Sequence, residues 1–193
     1  MKTIGLTGSI GMGKTETAKL FAEQGIPVFD SDAAVHELLG SGGAAVAQVE
    51  KEFPGALVEG HIDRKRLGEH VFSDDLALKK LEKILHPMVT SMRNDFIKNT
   101  TSGMALFDIP LLFEKEYEEH CDYTVVVSSP EKVQKKRVLE RPGMTEDRFN
   151  EILSKQMPDA EKRAKADFIV QTDLGIDYAR KQVIELLRKI RET

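Results

Sequence analysis

Residues Gly8 to Thr15 read GSIGMGKT and fit G-x-x-x-x-G-K-[ST] at every fixed position. An apolar run, KTIGLT, precedes the stretch. A helical pattern follows it, with Ala18, Phe21 and Ala22 on one face and Gly25 as its stop. A strand that feeds a glycine loop, which in turn feeds a helix, constrains the fold more than any other feature. It calls for an α/β domain whose sheet carries the loop at a strand end. The residue types follow from the needs of an anion. Backbone N–H groups must turn toward phosphate oxygens, and a Cβ would obstruct them, hence Gly8, Gly11 and Gly13. The helix beginning near Lys14 aims its positive end at the same place. Lys14 is then suited to the β- and γ-phosphates of a nucleoside triphosphate, and the Thr15 hydroxyl to a Mg²⁺ ion.

Further short runs rich in β-formers occur at IPVFD, MALFDI, YTVVVS and DFIVQ. Their near-continuous hydrophobicity suits strands covered on both faces. Helical patterns separate them; in the last, Ile176, Ala179, Val183, Leu187 and Ile190 recur at helical spacing. The expectation is a doubly wound, parallel, five-stranded sheet. One connection is anomalous: from Asp30 to Met104 the chain runs for about 70 residues, where a crossover needs only a dozen or more. This segment shows no β-rich run. FSDDLALKKLEKILHP reads as a helix, with Leu78, Leu81 and Leu85 on one face and Pro87 as its end. Residues 40–100 are therefore expected to form a helical insertion, with GSGGAA (Gly40 to Ala45) its only linker-like spot.

Other features exclude several classes. A net charge of −4 argues against a nucleic-acid coat. The single cysteine, Cys121, precludes an internal disulfide, fits a reducing compartment and reads as a small buried hydrophobe. No run approaches the roughly 20 apolar residues of a membrane span, and Gly8 breaks any signal-peptide core, so a cytoplasmic protein is expected. Nothing points to an obligate protein partner. The histidines lack zinc-ligand spacing, and no N-K-x-D or D-x-x-G marks a GTPase. A small-molecule kinase is favoured. In PVFDSDAAVHEL, Asp30 and Asp32 stand where the second strand becomes a helix, at the strand end where ligands sit. Asp30 or Ser31 suits an N-cap. Asp32 suits the base that takes a proton from an acceptor hydroxyl.

With LTGSIGMGKT and VFDSD, four further stretches carry a resemblance. These are GHIDRKRLGEHVFSDDLALKKLEKILHPMV, DIPLLFE (Asp108 to Glu114), and the pair SSPEKVQKKRVLERPGMT and KQMPDAEKRAKADFIV. Taken in order, over essentially the whole chain, they resemble the dephospho-coenzyme A kinase family. The resemblance implies ATP-dependent phosphorylation of the ribose 3′-hydroxyl of dephospho-coenzyme A, the last step of coenzyme A biosynthesis. It implies that Gly8 to Glu16, Met12 included, hold the ATP phosphates and that Asp32 is the base. It makes the insertion the acceptor-binding part, with Arg64, His86 and Glu114 as substrate contacts. Residues 131–157 become a lid between core segments 1–39, 101–130 and 158–193. Within the lid, Arg137 and Arg141 would supply transition-state charge. Where the family usually carries an Asn near the adenine, this chain has QTD, with Thr172 still able to hydrogen bond. A shikimate-type kinase, the rival enzyme, would carry a glycine triplet where IPLLFE stands. A non-catalytic nucleotide sensor would need no base at Asp32.

Overall fold

The computed structural model describes residues 1–72 and 74–193. Ser73, in the middle of the FSDD stretch, lies outside the described residues. Five strands form one sheet, β1 (Lys2–Thr7), β2 (Val28–Asp30), β5 (Met104–Asp108), β6 (Tyr123–Ser128) and β7 (Phe168–Gln171). Their order is β2-β5-β1-β6-β7; β1 runs parallel to both β5 and β6, and β6 parallel to β7. All five coincide with the β-rich runs of the sequence. The chain leaves β1 toward β2 on one side and later fills β6 and β7 on the other. The loop after β1 therefore sits at a topological switch point.

The chain divides into two compact units, residues 1–29 with 101–193, and residues 30–100. The first unit contains α1 (Lys14–Glu23), α6 (Glu131–Leu139), α7 (Glu146–Ser154), α8 (Asp159–Lys165) and α9 (Ile176–Glu192). Its core joins Ile4, Leu6, Val125 and Val127 of the sheet to Phe21 of α1 and Val183, Leu187 and Ile190 of α9. Each such fully buried side chain contributes about 1.5–3 kcal/mol relative to exposure. Ala22 and Ile176, which the spacing assigns to these faces, are exposed. Thr17 and Leu20 complete the α1 face, and Leu186 completes that of α9. Cys121 is half-buried rather than buried.

The inserted unit contains α2 (Ser31–Leu39), α3 (Val46–Glu52), α4 (Arg64–Val71) and α5 (Asp75–Asn99). Leu38, Val49, Phe53, Leu67, Leu81 and Leu85 form its core. Its boundary falls after Phe29, so α2 counts with the insertion and not with the segment 1–39. Two expectations fail within it. Pro87 does not end α5, which continues for a further three turns to Asn99. A proline in a helix interior costs about 3 kcal/mol, but Leu81, Leu85, Met88, Val89 and Met92 continue one stripe across it into the same core. That burial outweighs the lost hydrogen bond. Leu78 lies off this stripe and is exposed. The insertion also contains a hairpin, β3 (Leu57–Val58) with β4 (His61–Ile62), antiparallel and closed by Glu59 and Gly60. Both turn residues take positive φ (47° and 83°), the requirement of a tight two-residue turn. Two-residue strands are too short for periodicity to reveal.

Candidate active site

In the first unit the loop from Gly8 to Gly13 leaves β1 and enters α1 at Lys14. Three glycines have a geometric need. Gly11 has φ 79°, and a Cβ there would come within 2.4 Å of Val138 and 3.1 Å of the Gln134 carbonyl. Gly13 caps α1 at φ 96°. Gly8 lies so close to β6 that a Cβ would meet the Val127 carbonyl at 2.8 Å. Met12 is buried; its thioether accepts from the N–H and hydroxyl of Ser129 at 3.1 and 3.2 Å. What Met12 offers a ligand is backbone. Thr15 and Glu16 are exposed on the first turn of α1, and Glu16 pairs with Lys19. Lys14 and the Thr15 hydroxyl stand together at the start of a ten-residue helix, whose positive end favours an anion.

Lys14 forms an ion pair and hydrogen bond with Asp108, a buried residue that ends β5 beside β1. Sequence reasoning assigned Asp108 no role of its own. The signal was present: an acid terminates the apolar run MALF at a strand's C-terminal end, where a carboxylate is costly without a function or a partner.

Two side chains hold the loop from the other flank. Gln134 of α6 donates to the Ile10 carbonyl at 2.8 Å, and Ile10 N–H donates to Gln156 Oε1 at 3.0 Å. Beside the loop lies a cavity of about 550 Å³, with Ser9, Gln134, Gln156, Asp159 and Arg163 in its lining.

The structure separates the two arginines of the segment expected to form a lid. Arg137 donates to the Thr172 hydroxyl at 2.9 Å and its carbonyl at 2.7 Å; the same hydroxyl donates to the Met12 carbonyl at 2.7 Å. A relay thus runs from α6 through the QTD segment to the glycine loop. Arg141 is exposed, just beyond α6 and before the Pro142-Gly143 turn. Glu114 accepts from Met157 N–H at 2.8 Å and lies 2.7 Å from the Nζ of fully buried Lys162 on α8. Its Oε1 is thus engaged within the protein.

In the inserted unit, Asp30 is the N-cap of α2, accepting from Asp32 N–H at 2.9 Å and Ala33 N–H at 3.0 Å. Asp32 therefore does no capping. It is exposed in the first turn of α2, and among the described residues its carboxylate has no hydrogen-bond or ion-pair partner. Arg64 is the first residue of α4, after the Asp63 cap, and is exposed. His86 lies mid-way along α5, exposed, one residue before the proline that the helix carries through.

A glycine loop between β1 and α1, with its lysine on the acid of the neighbouring strand, defines the class: a P-loop kinase of the small-molecule type. The model of the dephospho-CoA kinase family matches residues 2–177. A dephospho-CoA kinase of Novosphingobium aromaticivorans is 50% identical over 190 residues, covering 98% of this chain and 94% of its own length. Among solved structures, TT1252 from Thermus thermophilus superposes with a TM-score of 0.86 at 32% identity, covering 97% and 96% of the two chains. The dephospho-CoA kinase from Campylobacter jejuni gives 0.65 at 25%, covering 98% and 97%. The chain belongs to the dephospho-CoA kinase family, enzymes of coenzyme A biosynthesis that use ATP. Among the described residues no helix is long and apolar enough to cross a membrane.

Proposed function

We propose that the chain transfers the γ-phosphoryl group of ATP to the ribose 3′-hydroxyl of dephospho-coenzyme A, giving coenzyme A and ADP. The observation that carries this reading is Lys14 and Asp108 joined beneath the glycine loop: a cation for the phosphates and an acid for their counter-ion at the ends of adjacent strands. In the reaction the 3′-oxygen attacks the γ-phosphorus, the bond to the β,γ-bridging oxygen breaks, and the hydroxyl proton passes to the Asp32 carboxylate. Loop amides and Lys14 hold the β- and γ-phosphates. Arg137 fixes Thr172 and through it the loop, while Arg141 supplies charge to the transferring group. Arg64 and His86 contact the acceptor, and Glu114 ties the segment after β5 to α8 and Met157.

Mg²⁺ fits these residues. The Thr15 hydroxyl and Asp108 carboxylate are hard oxygen donors, which would share the ion with phosphate oxygens and water. Among the described residues no group of three His, Cys, Asp or Glu could hold a metal alone. Bound there, it would neutralise charge on the β- and γ-oxygens.

The test is an acceptor panel with ATP and Mg²⁺. Dephospho-coenzyme A should be phosphorylated far faster than shikimate, gluconate or adenosine monophosphate. Equal turnover of any of these overturns the assignment.

A further inference from the structure

We propose that Gln134 and Thr172 are positioning residues for phosphate binding. Each holds one carbonyl of the glycine loop from outside and so turns the N–H of the following residue, Gly11 or Gly13, toward the nucleotide. The inference rests on the loop as the ATP site and is independent of which acceptor is used.

Gly11 and Gly13 take positive φ, 79° and 96°. Glycine permits such a conformation and equally permits others, so it supplies freedom and no direction. A peptide unit is planar and trans, with its C=O and N–H on opposite sides. Fixing the carbonyl of one residue therefore fixes the N–H of the next. The carbonyl of Ile10 accepts from Gln134 Nε2 at 2.8 Å, and that of Met12 accepts from Thr172 Oγ1 at 2.7 Å. These are the carbonyls that precede Gly11 and Gly13. The N–H groups of those two glycines have no hydrogen-bond partner among the described residues. The N–H between them, that of Met12, is spent within the loop on the Ser9 carbonyl at 3.1 Å.

The sheet order gives the direction. β6 and β7 lie on one side of β1, and β5 lies on the other. Gln134, on α6 after β6, and Thr172, just after β7, draw both carbonyls toward the first side. The N–H groups of Gly11 and Gly13 therefore face the second, where Lys14 meets Asp108 at the end of β5. Both supports are themselves fixed. Gln134 is 4% exposed, and a carboxamide so buried needs the partner it has. The Thr172 hydroxyl has a single proton, and Arg137, which can only donate, gives it a hydrogen bond at 2.9 Å. That proton is left for a carbonyl; the Met12 carbonyl is the nearer at 2.7 Å, with that of Ser128 at 3.4 Å. Donors aimed before the anion arrives cost no reorganisation when it binds.

The experiment uses the full chain, with Gln134→Met and Thr172→Val, which keep the shape and lose the donor, beside Thr172→Ser, which keeps the hydroxyl. Three ligands are compared: ATP, inorganic tripolyphosphate, which has the phosphates alone, and adenosine competing with ATP, which has none. In Gln134→Met and Thr172→Val the KM for ATP and the inhibition constant of tripolyphosphate should rise together, by about three- to tenfold. The adenosine constant should not move, and Thr172→Ser should stay near wild type. Unchanged constants for ATP and tripolyphosphate in both donor-lacking variants overturn the proposal. So does an equal weakening of adenosine and tripolyphosphate, the mark of a merely structural role, or a Thr172→Ser as weak as Thr172→Val. A Gln134→Met that fails to fold is replaced by Gln134→Asn, whose amide stops short of the Ile10 carbonyl, read in the same way. Wild type that binds neither ATP nor tripolyphosphate overturns the reading of the loop as the nucleotide site instead, so the two failures are distinguishable.

Discussion

In the proposed reaction three side chains divide the chemistry between cation, acid and base. Asp30 takes the capping bonds of α2, which leaves Asp32 without that duty. Asp32→Asn keeps the shape and should lower kcat by roughly 10² to 10⁴-fold, the lower half being favoured because phosphoryl transfer relies on positioning and charge. Nucleotide affinity should hold, since Lys14 and the loop belong to the other unit; a coupled ADP-release assay with parallel binding of an ATP analogue measures both. Asp108→Asn removes the partner of Lys14 and, in the proposed site, an ion ligand as well. It should raise the Mg²⁺ concentration for half-maximal rate by about tenfold or more, read from a Mg²⁺ titration at saturating ATP. The glycine loop was legible because each of its fixed positions has a separate physical reason. Asp108 was not, because a single acid at a strand end carries no pattern. It acquires meaning only when β5 is known to pair with β1, a neighbour 102 residues away in the chain, Leu6 standing opposite Asp108.

Elements were legible in proportion to their length and apolar continuity. The strands and α9 were plain, whereas the two-residue strands of the hairpin and the passage of α5 through Pro87 depend on what lies opposite them in the inserted core. The hairpin is fixed by a residue outside it. Glu50 of α3 accepts from Gly55 N–H through one carboxylate oxygen, at 3.0 Å, and from Leu57 N–H through the other, at 2.7 Å. These backbone hydrogen bonds, first Gly55 and then Leu57, hold its carboxyl below the ordinary glutamate value. A depressed carboxylate stabilises the fold above its unfolded-state pKa, and that stability is lost as pH falls through the folded-state value. Glu50→Gln should therefore melt earlier than wild type at neutral pH. The gap should narrow on acidification below the usual glutamate range. Thermal melts from neutral pH into that range check both the direction and the window.

At the scale of the molecule, each unit has its own hydrophobic core, and the larger one contains a charge in its interior. Lys162 is fully buried, with its Nζ 2.7 Å from Glu114, a residue 48 positions earlier in the chain. Glu114→Leu strands that ammonium and should cost about 3–5 kcal/mol, whereas adding Lys162→Met to it should recover much of the loss. Denaturant unfolding of the two singles and the double gives the coupling. A double mutant no better than Glu114→Leu would mean the pair is not what links α8 to the segment after β5. Nothing in KQMPDAEKRAKAD distinguishes Lys162 from its exposed neighbours, because burial here is set by the packing of α8 and not by local spacing.

The Gln156 side chain on the amide of Ile10 has a consequence for selectivity. An anion entering the loop competes with a neutral carboxamide already seated on that donor, and Lys14 is likewise engaged by Asp108. The affinity it shows is the difference between what it gains and what it displaces. A lone inorganic phosphate replaces these bonds with few new ones, while a triphosphate reaches the loop amides, the lysine and the helix start at once. Internal competition of this kind penalises a lone phosphate more than a full nucleotide.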